Sequence, residues 1–248
     1  MPETALAILA HPDDAEFLCA GTLARLQREH DWSVHVATMT PGDCGSAEHS
    51  AEEIGRIRRA EGAAAAAVIA GKYHCLDQRD LLVTYSEPAI AKATCLLRRL
   101  RPTVVFTHSP DDYHLDHEMT SKVARGATFA ASVPLFLRDQ SAASDRVPHL
   151  YYCDPIEGKD AFGREVPPAF CIDVTAVIET KTEMLACHAS QRNWLAKQHG
   201  IDNYIESMRK WTARRGKERG VAFAEGFRQH LGHSYPQDNI LLHLLGSV

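Results

Sequence analysis

His11-Pro12-Asp13-Asp14 puts an imidazole and two carboxylates into four residues, and Asp111-Asp112-Tyr113-His114-Leu115-Asp116-His117 puts two imidazoles and three carboxylates into seven. Two histidines and one carboxylate, with a fourth position open, make a catalytic zinc set. The three ligands are to be drawn from His11, Asp13, Asp14, His114, Asp116 and His117. The acids and imidazoles left over are what metal-assisted hydrolysis needs. One carboxylate can take a proton from water, and one imidazole can meet a developing oxyanion or leaving group. Asp14 or Asp116 alone would read as a helix N-cap; the joint pattern is what indicates a metal. The same donors suit a non-haem Fe(II) triad, but those oxygenases usually use a β-barrel, and this chain alternates strands with helices.

The first cluster follows the apolar run Ala5 to Ala10, a buried strand, and precedes a helix read over Ala15 to Gln27. In an open α/β sheet that strand-to-helix turn is where ligands bind. A dinucleotide site would place glycines there; this chain places charge. Further strands are expected at Ser33–Met39, Lys72–Leu76 and Thr103–Thr107, with helices at Glu52–Val68, Glu87–Leu100 and Asp116–Ala131. The alternation implies right-handed βαβ units and a mostly parallel sheet. With strands ordered 3-2-1-4-5, the first and fourth are neighbours, and the two clusters face each other across the switch point. Past residue 132 the pattern loosens. His149–Cys153 and Phe170–Val174 read as strands, Val177–Ala189 as a helix, and 200–230 as polar helix. The whole is expected to be one α/β domain over 1–248, a Rossmann-like three-layer fold. Residues from about 133 onward complete and cover its sheet.

The chain has 248 residues, 45% hydrophobic and 24% charged, with a formal net charge of -5. Such a length can bury a sizeable core without disulfides. Seven scattered cysteines with no CxxC pair indicate neither a zinc ribbon nor a disulfide framework. Acidic and basic residues are interspersed, so no nucleic-acid partner is expected, and the basic stretch Arg209–Arg219 reads as a solvated helix face. No apolar run reaches the ~20 residues of a membrane span, and no secretory leader is read at the start. No membrane association and a cytoplasmic location are the expectations.

With both clusters in view, the chain resembles the PIG-L/LmbE-like family of zinc-dependent N-acetylglucosaminyl deacetylases. The resemblance rests on Ala10-His11-Pro12-Asp13-Asp14 and His114-Leu115-Asp116-His117. Weaker support comes from the Thr40–Ser46 loop, Arg58-Arg59-Ala60-Glu61, Lys181 with His188-Ala189-Ser190-Gln191, and Ala224-Glu225-Gly226-Phe227. The resemblance implies that His11, Asp14 and His117 hold one Zn2+ and that Asp13 is the general base. It implies that His114 stabilises the oxyanion and protonates the amine, with Asp116 orienting it, and that Arg58 contacts sugar hydroxyls. It also implies a small amino-sugar substrate and a homo-oligomer, trimeric or hexameric. Relatives that cleave the amides of thiol conjugates make an amidase the second reading. A metal- or carbohydrate-binding protein without turnover is the third. Two positions depart from the family pattern: Ala15 stands where Glu usually follows the paired aspartates, and Asp43 stands where Glu is common in the loop.

Among other residues, Asp43, Asp77 and Asp80 lie where they could bind sugar hydroxyls. His35, inside a strand, is expected to be structural. His188 reads equally as a packing residue, and His230, His233 and His243 as surface residues.

Overall fold

The structure is a computed structural model that describes residues 3–192 and 204–246. Seven strands form one sheet in the order β3-β2-β1-β4-β5-β7-β6. They are β1 Thr4–Leu9, β2 Ser33–Thr38, β3 Lys72–Cys75, β4 Val104–Thr107, β5 His149–Cys153, β6 Phe170–Asp173 and β7 Ala224–Gln229. β1 to β5 run parallel, and β7 pairs antiparallel with both β5 and β6. This is the α/β fold and the 3-2-1-4-5 order read from the sequence, extended by an antiparallel pair.

The period-two alternation of the strands sorts their side chains onto two cores. Ala5, Ala7, Leu9, Val36 and Phe106 face one layer of helices, α1 Asp14–Leu18, α2 Ala20–His30, α3 Ala51–Val68 and α6 Ile178–Ala186. Leu6, Ile8, Ala37 and Val105 face the other, α4 Glu87–Leu100 and α5 Leu115–Ala130. A smaller cluster of Ile178, Leu185, Tyr204 and Met208 seats the helix Tyr204–Arg219 on α6. No helix among the described residues is long and apolar enough to cross a membrane.

Two elements differ from the sequence reading. The helix expected over Ala15–Gln27 is two helices, interrupted at Cys19 with φ -144° and ψ 4°. The break frees the amides of Gly21 and Thr22, which donate to Glu225 at 2.8 and 2.7 Å. The same carboxylate takes Lys181 Nζ at 2.6 Å, with both side chains buried. Glu225 therefore supplies the negative end that the start of α2 favours. The polar helix expected over 200–230 ends at Arg219, and residues 200–203 lie outside the described residues. Gly220 then adopts φ +77°, and 224–229 forms β7. That strand was missed because its partners, β5 and β6, lie far away in sequence.

Candidate metal centre and active site

β1 and β4 are paired from Ala5↔Val104 to Ile8↔Thr107, so their C-terminal ends emerge together. The Ala10 amide and His108 Nε2 are 3.0 Å apart where the two strands end. Just beyond, the chain turns sharply. Asp13 has φ 108°, a left-handed backbone unusual outside glycine, and α1 starts at Asp14. Opposite, His114 caps α5 and His117 lies in its first turn.

His11, Asp14 and His117 each bring one ligand atom to a point where all lie within 4.8 Å of one another. His11 Nδ1 is 3.4 Å from Asp14 Oδ2, and His117 Nε2 is 3.5 Å from Asp14 Oδ1. The far nitrogen of each ring is held by carboxylate. His117 Nδ1 meets Asp112 Oδ1 at 3.0 Å. His11 Nε2 meets Asp80 Oδ1 at 3.1 Å and Asp116 Oδ2 at 3.3 Å. Metal-bound histidines carry such partners because they fix the ring and raise its basicity. The donor chemistry thus fits a divalent cation, with Asp14 Oδ2 anchored by the His11 amide at 2.7 Å. Burial favours a neutral Asp14, but His117 and His108 outweigh it and hold the carboxyl well below its usual range. Burial opposes charge on His11, yet its bonds to Asp116, Asp14 and Asp80 raise it well above an ordinary histidine.

Asp13 has different surroundings. Tyr204 donates to its Oδ2 at 2.5 Å, and Arg58 Nη2 lies 3.6 Å from Oδ1. Burial raises the Asp13 carboxyl; Arg58 opposes this and Asp14 adds to it, leaving it above the usual range. A base lifted toward neutrality is better matched to proton abstraction.

His114 takes the Asp116 amide on Nδ1 at 3.1 Å, which leaves Nε2 to carry the ring proton into the site. The Asp116 carboxylate does not touch His114. It accepts from the Leu81 and Val83 amides at 2.7 and 3.2 Å and faces His11. Asp116 thus meets His114 through its backbone, not its side chain. Burial, then His117 and His11, push His114 below an ordinary histidine.

Four residues expected to bind sugar hydroxyls have partners within the protein. Arg58 reaches the cavity, but Nη2 donates to Pro12 O at 2.7 Å and Nη1 to Gly42 O at 3.3 Å. A Cβ at Gly42 would lie 2.2 Å from Nη1, so this glycine is required by the arginine as well as by its φ of +69°. Asp80 holds His11, and Asp43 accepts the Asp80 amide at 2.9 Å. Asp77 pairs with Arg59 at 2.6 Å.

Other side chains at the site were given no role from the sequence. His108 is fully buried and stacks on His117 with ring centroids 3.9 Å apart. Asp112 and Tyr204 come from a loop and from a distant helix. His188 is buried against Glu16 at 3.5 Å. His35 bonds His74, a structural role as expected, whereas His230 bonds the Tyr152 hydroxyl at 3.0 Å and is no bare surface residue. The metal candidates, Asp13 and His114 open onto one cavity of about 410 Å³, also walled by Phe17, Tyr113, Ile156, Glu157, Gln191 and Ser207. That size suits a small organic ligand, for which ~300–1,000 Å³ is usual.

The α/β sheet thus carries a candidate His-His-Asp metal site, with a spare carboxylate beside it, at its switch point. Residues 6–128 match the PIG-L family, described as GlcNAc-PI de-N-acetylase, and the chain belongs to it. It is 26% identical over 238 residues to the 1D-myo-inositol 2-acetamido-2-deoxy-alpha-D-glucopyranoside deacetylase of Rhodococcus erythropolis, covering 75% of this chain and 80% of the relative. The fold is shared with the N,N'-diacetylchitobiose deacetylase of Pyrococcus horikoshii at TM-score 0.79 and 24% identity, over 96% of this chain and 88% of that one. It is also shared with GalB, the 4-carboxy-2-hydroxymuconate hydratase of Pseudomonas putida, at TM-score 0.78 and 21% identity, over 96% and 100%.

Proposed function

We propose that this protein is a zinc-dependent hydrolase that removes the acetyl group from an amino sugar of the N-acetylglucosamine type in a small glycoconjugate. The fold alone does not choose the reaction, since GalB is a hydratase. The observation that carries the reading is the split between two adjacent carboxylates. Asp14 is held ionised among His11, His117 and His108, whereas burial and the Asp14 charge raise Asp13 against the pull of Arg58 and Tyr204. One suits a ligand and the other a base; a binding module needs no such base.

His11 Nδ1, Asp14 Oδ1 and His117 Nε2 would hold the ion. When bound, it would supply Lewis acidity toward an amide carbonyl and lower the pKa of a water. Asp13 takes a proton from the water that attacks the carbonyl carbon. Tyr204 and Arg58 hold the carboxylate in place as it does so. His114, kept neutral, donates from Nε2 to the carbonyl oxygen as charge gathers there. Asp13 then gives its proton to the departing amine nitrogen, the C–N bond breaks, and acetate and amine separate. A neutral His114 has no proton to give without becoming an anion, so the leaving-group role passes from His114 to Asp13.

The test is release of acetate and free amine from a panel of N-acetylated sugars and glycosides, with metal content measured on the same sample. Turnover with about one zinc per chain is the expected result. Cleavage of larger amide conjugates, with none of the N-acetyl sugars, would replace this reading with an amidase.

A further inference from the structure

We infer that Asp154 and Arg215 are positioning residues for the cavity: they seat the turn Ile156–Gly158, which forms one of its walls, on the helix Tyr204–Arg219, which forms another. The inference rests on the deacetylase reading for the ligand that the cavity holds.

Ile156 and Glu157 line the cavity from the turn after β5, and Tyr204 and Ser207 line it from the start of the helix. Ser207, Trp211 and Arg215 recur every four residues, so they stand on one stripe of that helix. The stripe leads from the cavity to the back of the turn. The Arg215 guanidinium lies over the Trp211 ring, 4.6 Å from its centroid, a contact that suits a planar cation. Gly158 rests on this stack. A Cβ there would lie 2.5 Å from Arg215 Nη2 and 2.6 Å from Trp211 Cη2, and its φ is +67°. The turn needs glycine both for its conformation and for its close approach.

Asp154, two residues before the turn, fixes the arginine. Arg215 Nε donates to Asp154 Oδ2 at 2.7 Å, with both side chains buried. Arg215 Nη2 donates to Val166 O at 3.4 Å, and Nη1 to Glu218 Oε2 at 2.7 Å. Asp154 Oδ1 is buried without a hydrogen-bond partner among the described residues, so the bond from Arg215 is the one that holds this carboxylate. Gly226 makes room for it: a Cβ there would lie 2.2 Å from Asp154 Oδ2. Burial pushes the Asp154 carboxyl up to about 6 against the pull of Arg215. A buried pair usually adds little net stability over apolar side chains of the same volume. What this one fixes is the placing of the turn against the helix. Tyr204 is seated separately, among Ile178, Leu185 and Met208. Releasing the pair should therefore move the wall without moving the partner of Asp13.

The experiment disturbs the seat from both sides, with Asp154→Ala and with Gly158→Ala. Binding of the methyl glycoside of N-acetylglucosamine is measured by calorimetry on zinc-loaded Asp13→Asn protein, with and without each change. KM, kcat and zinc content are measured on the zinc-loaded parent and the two single variants. Both changes should weaken binding and raise KM by ~10-fold, since displacing a positioning group by a fraction of an ångström is enough. Neither should change kcat by more than ~3-fold or lower the zinc content, the pattern of lost uniform binding. Should Asp154→Ala fail to fold, Gly158→Ala decides alone. An unmoved KM, or a fall in kcat together with zinc content, overturns the inference even if acetate is released. Weakened binding in both variants, with no acetate released by the parent, keeps it and removes the deacetylase reading. No binding of the glycoside without either change removes both.

Discussion

His117 and Asp112 form a buried pair, Nδ1 to Oδ1 at 3.0 Å, that turns His117 Nε2 toward Asp14. Asp112 also takes the His114 amide at 3.2 Å, so one carboxylate braces both histidines of the second cluster. Removing it should loosen the metal without removing a ligand. Asp112→Ala should weaken zinc affinity by ~10–100-fold, and Asp112→Asn, which keeps an acceptor oxygen, by less. Competition against a chromogenic chelator reads this directly. Unchanged affinity in Asp112→Ala would show that His117 needs no brace.

Asp13 and Tyr204 give a second test. Asp13→Asn should keep the metal and lose at least ~100-fold in kcat, the scale of a general base. The Tyr204 hydroxyl favours the Asp13 carboxylate, so Tyr204→Phe should raise the Asp13 pKa. Activity rises with pH as Asp13 ionises, and in Tyr204→Phe that rise should move to higher pH. A limb that stays put, or moves down, would mean that another group controls it.

For His114 the sequence and the structure point in opposite directions. Taken alone, an aspartate two residues away would raise the imidazole pKa and give a descending basic limb. Burial and the neighbouring histidines instead lower it. His114 should already be neutral at the pH of activity and contribute no fall above neutrality. His114→Ala should cut kcat by ~100-fold or more with metal content nearly unchanged. A descending limb above pH 7 that His114→Ala abolishes would restore the acid role to this residue.

How far the site could be read followed how local its signals are. His11, Asp14 and His117 sit in two short segments, and the βαβ alternation alone brings those segments to one switch point. Asp112 and Asp116, which hold the His117 and His11 rings, stand in the second cluster, but the more distant partners were not legible. Asp80 reaches His11 from the loop after β3, and Tyr204 reaches Asp13 across a sequence separation of 191. Neither approach leaves a spacing to read. Arg58, Asp43 and Asp80 were placed near the site, but their partners within the protein were not legible. Residue type says that a side chain can bind a hydroxyl; only geometry says whether a backbone carbonyl, an amide or an imidazole has already taken it. Lys181 and Glu225 were noticed as motif residues, but their common partner, the start of α2, was hidden because Ala15–Gln27 reads as one helix.

That buried pair makes a stability prediction. Glu225 receives three donors from α2 besides Lys181, whereas Lys181 has Glu225 and one carbonyl, Phe17 O at 3.0 Å. Glu225→Leu strands a buried ammonium and should cost roughly 3–5 kcal/mol. Lys181→Met leaves a carboxylate still capped by α2 and should cost less. Urea denaturation of the two variants decides the order. Equal losses would mean that the helix amides do not stabilise the charge.

Acid should weaken the fold through a second histidine pair. His35 Nδ1 and His74 Nε2 are 2.9 Å apart, where β2 and β3 lie side by side. Burial, then His35, with Arg99 and Lys72 nearby, lower His74 to about 4, and burial with Lys72 and Arg99 lowers His35 as well. A histidine with a depressed folded-state pKa binds fewer protons folded than unfolded. Its contribution is therefore intact above the unfolded value of about 6.5 and is lost as the pH falls toward the folded value near 4. Unfolding free energy, measured by urea titration at pH 7.5 and 5, should fall on acidification. In His74→Gln, which keeps a hydrogen-bonding group but cannot titrate, the fall should be smaller. An identical fall in parent and variant would place the acid sensitivity elsewhere in the chain.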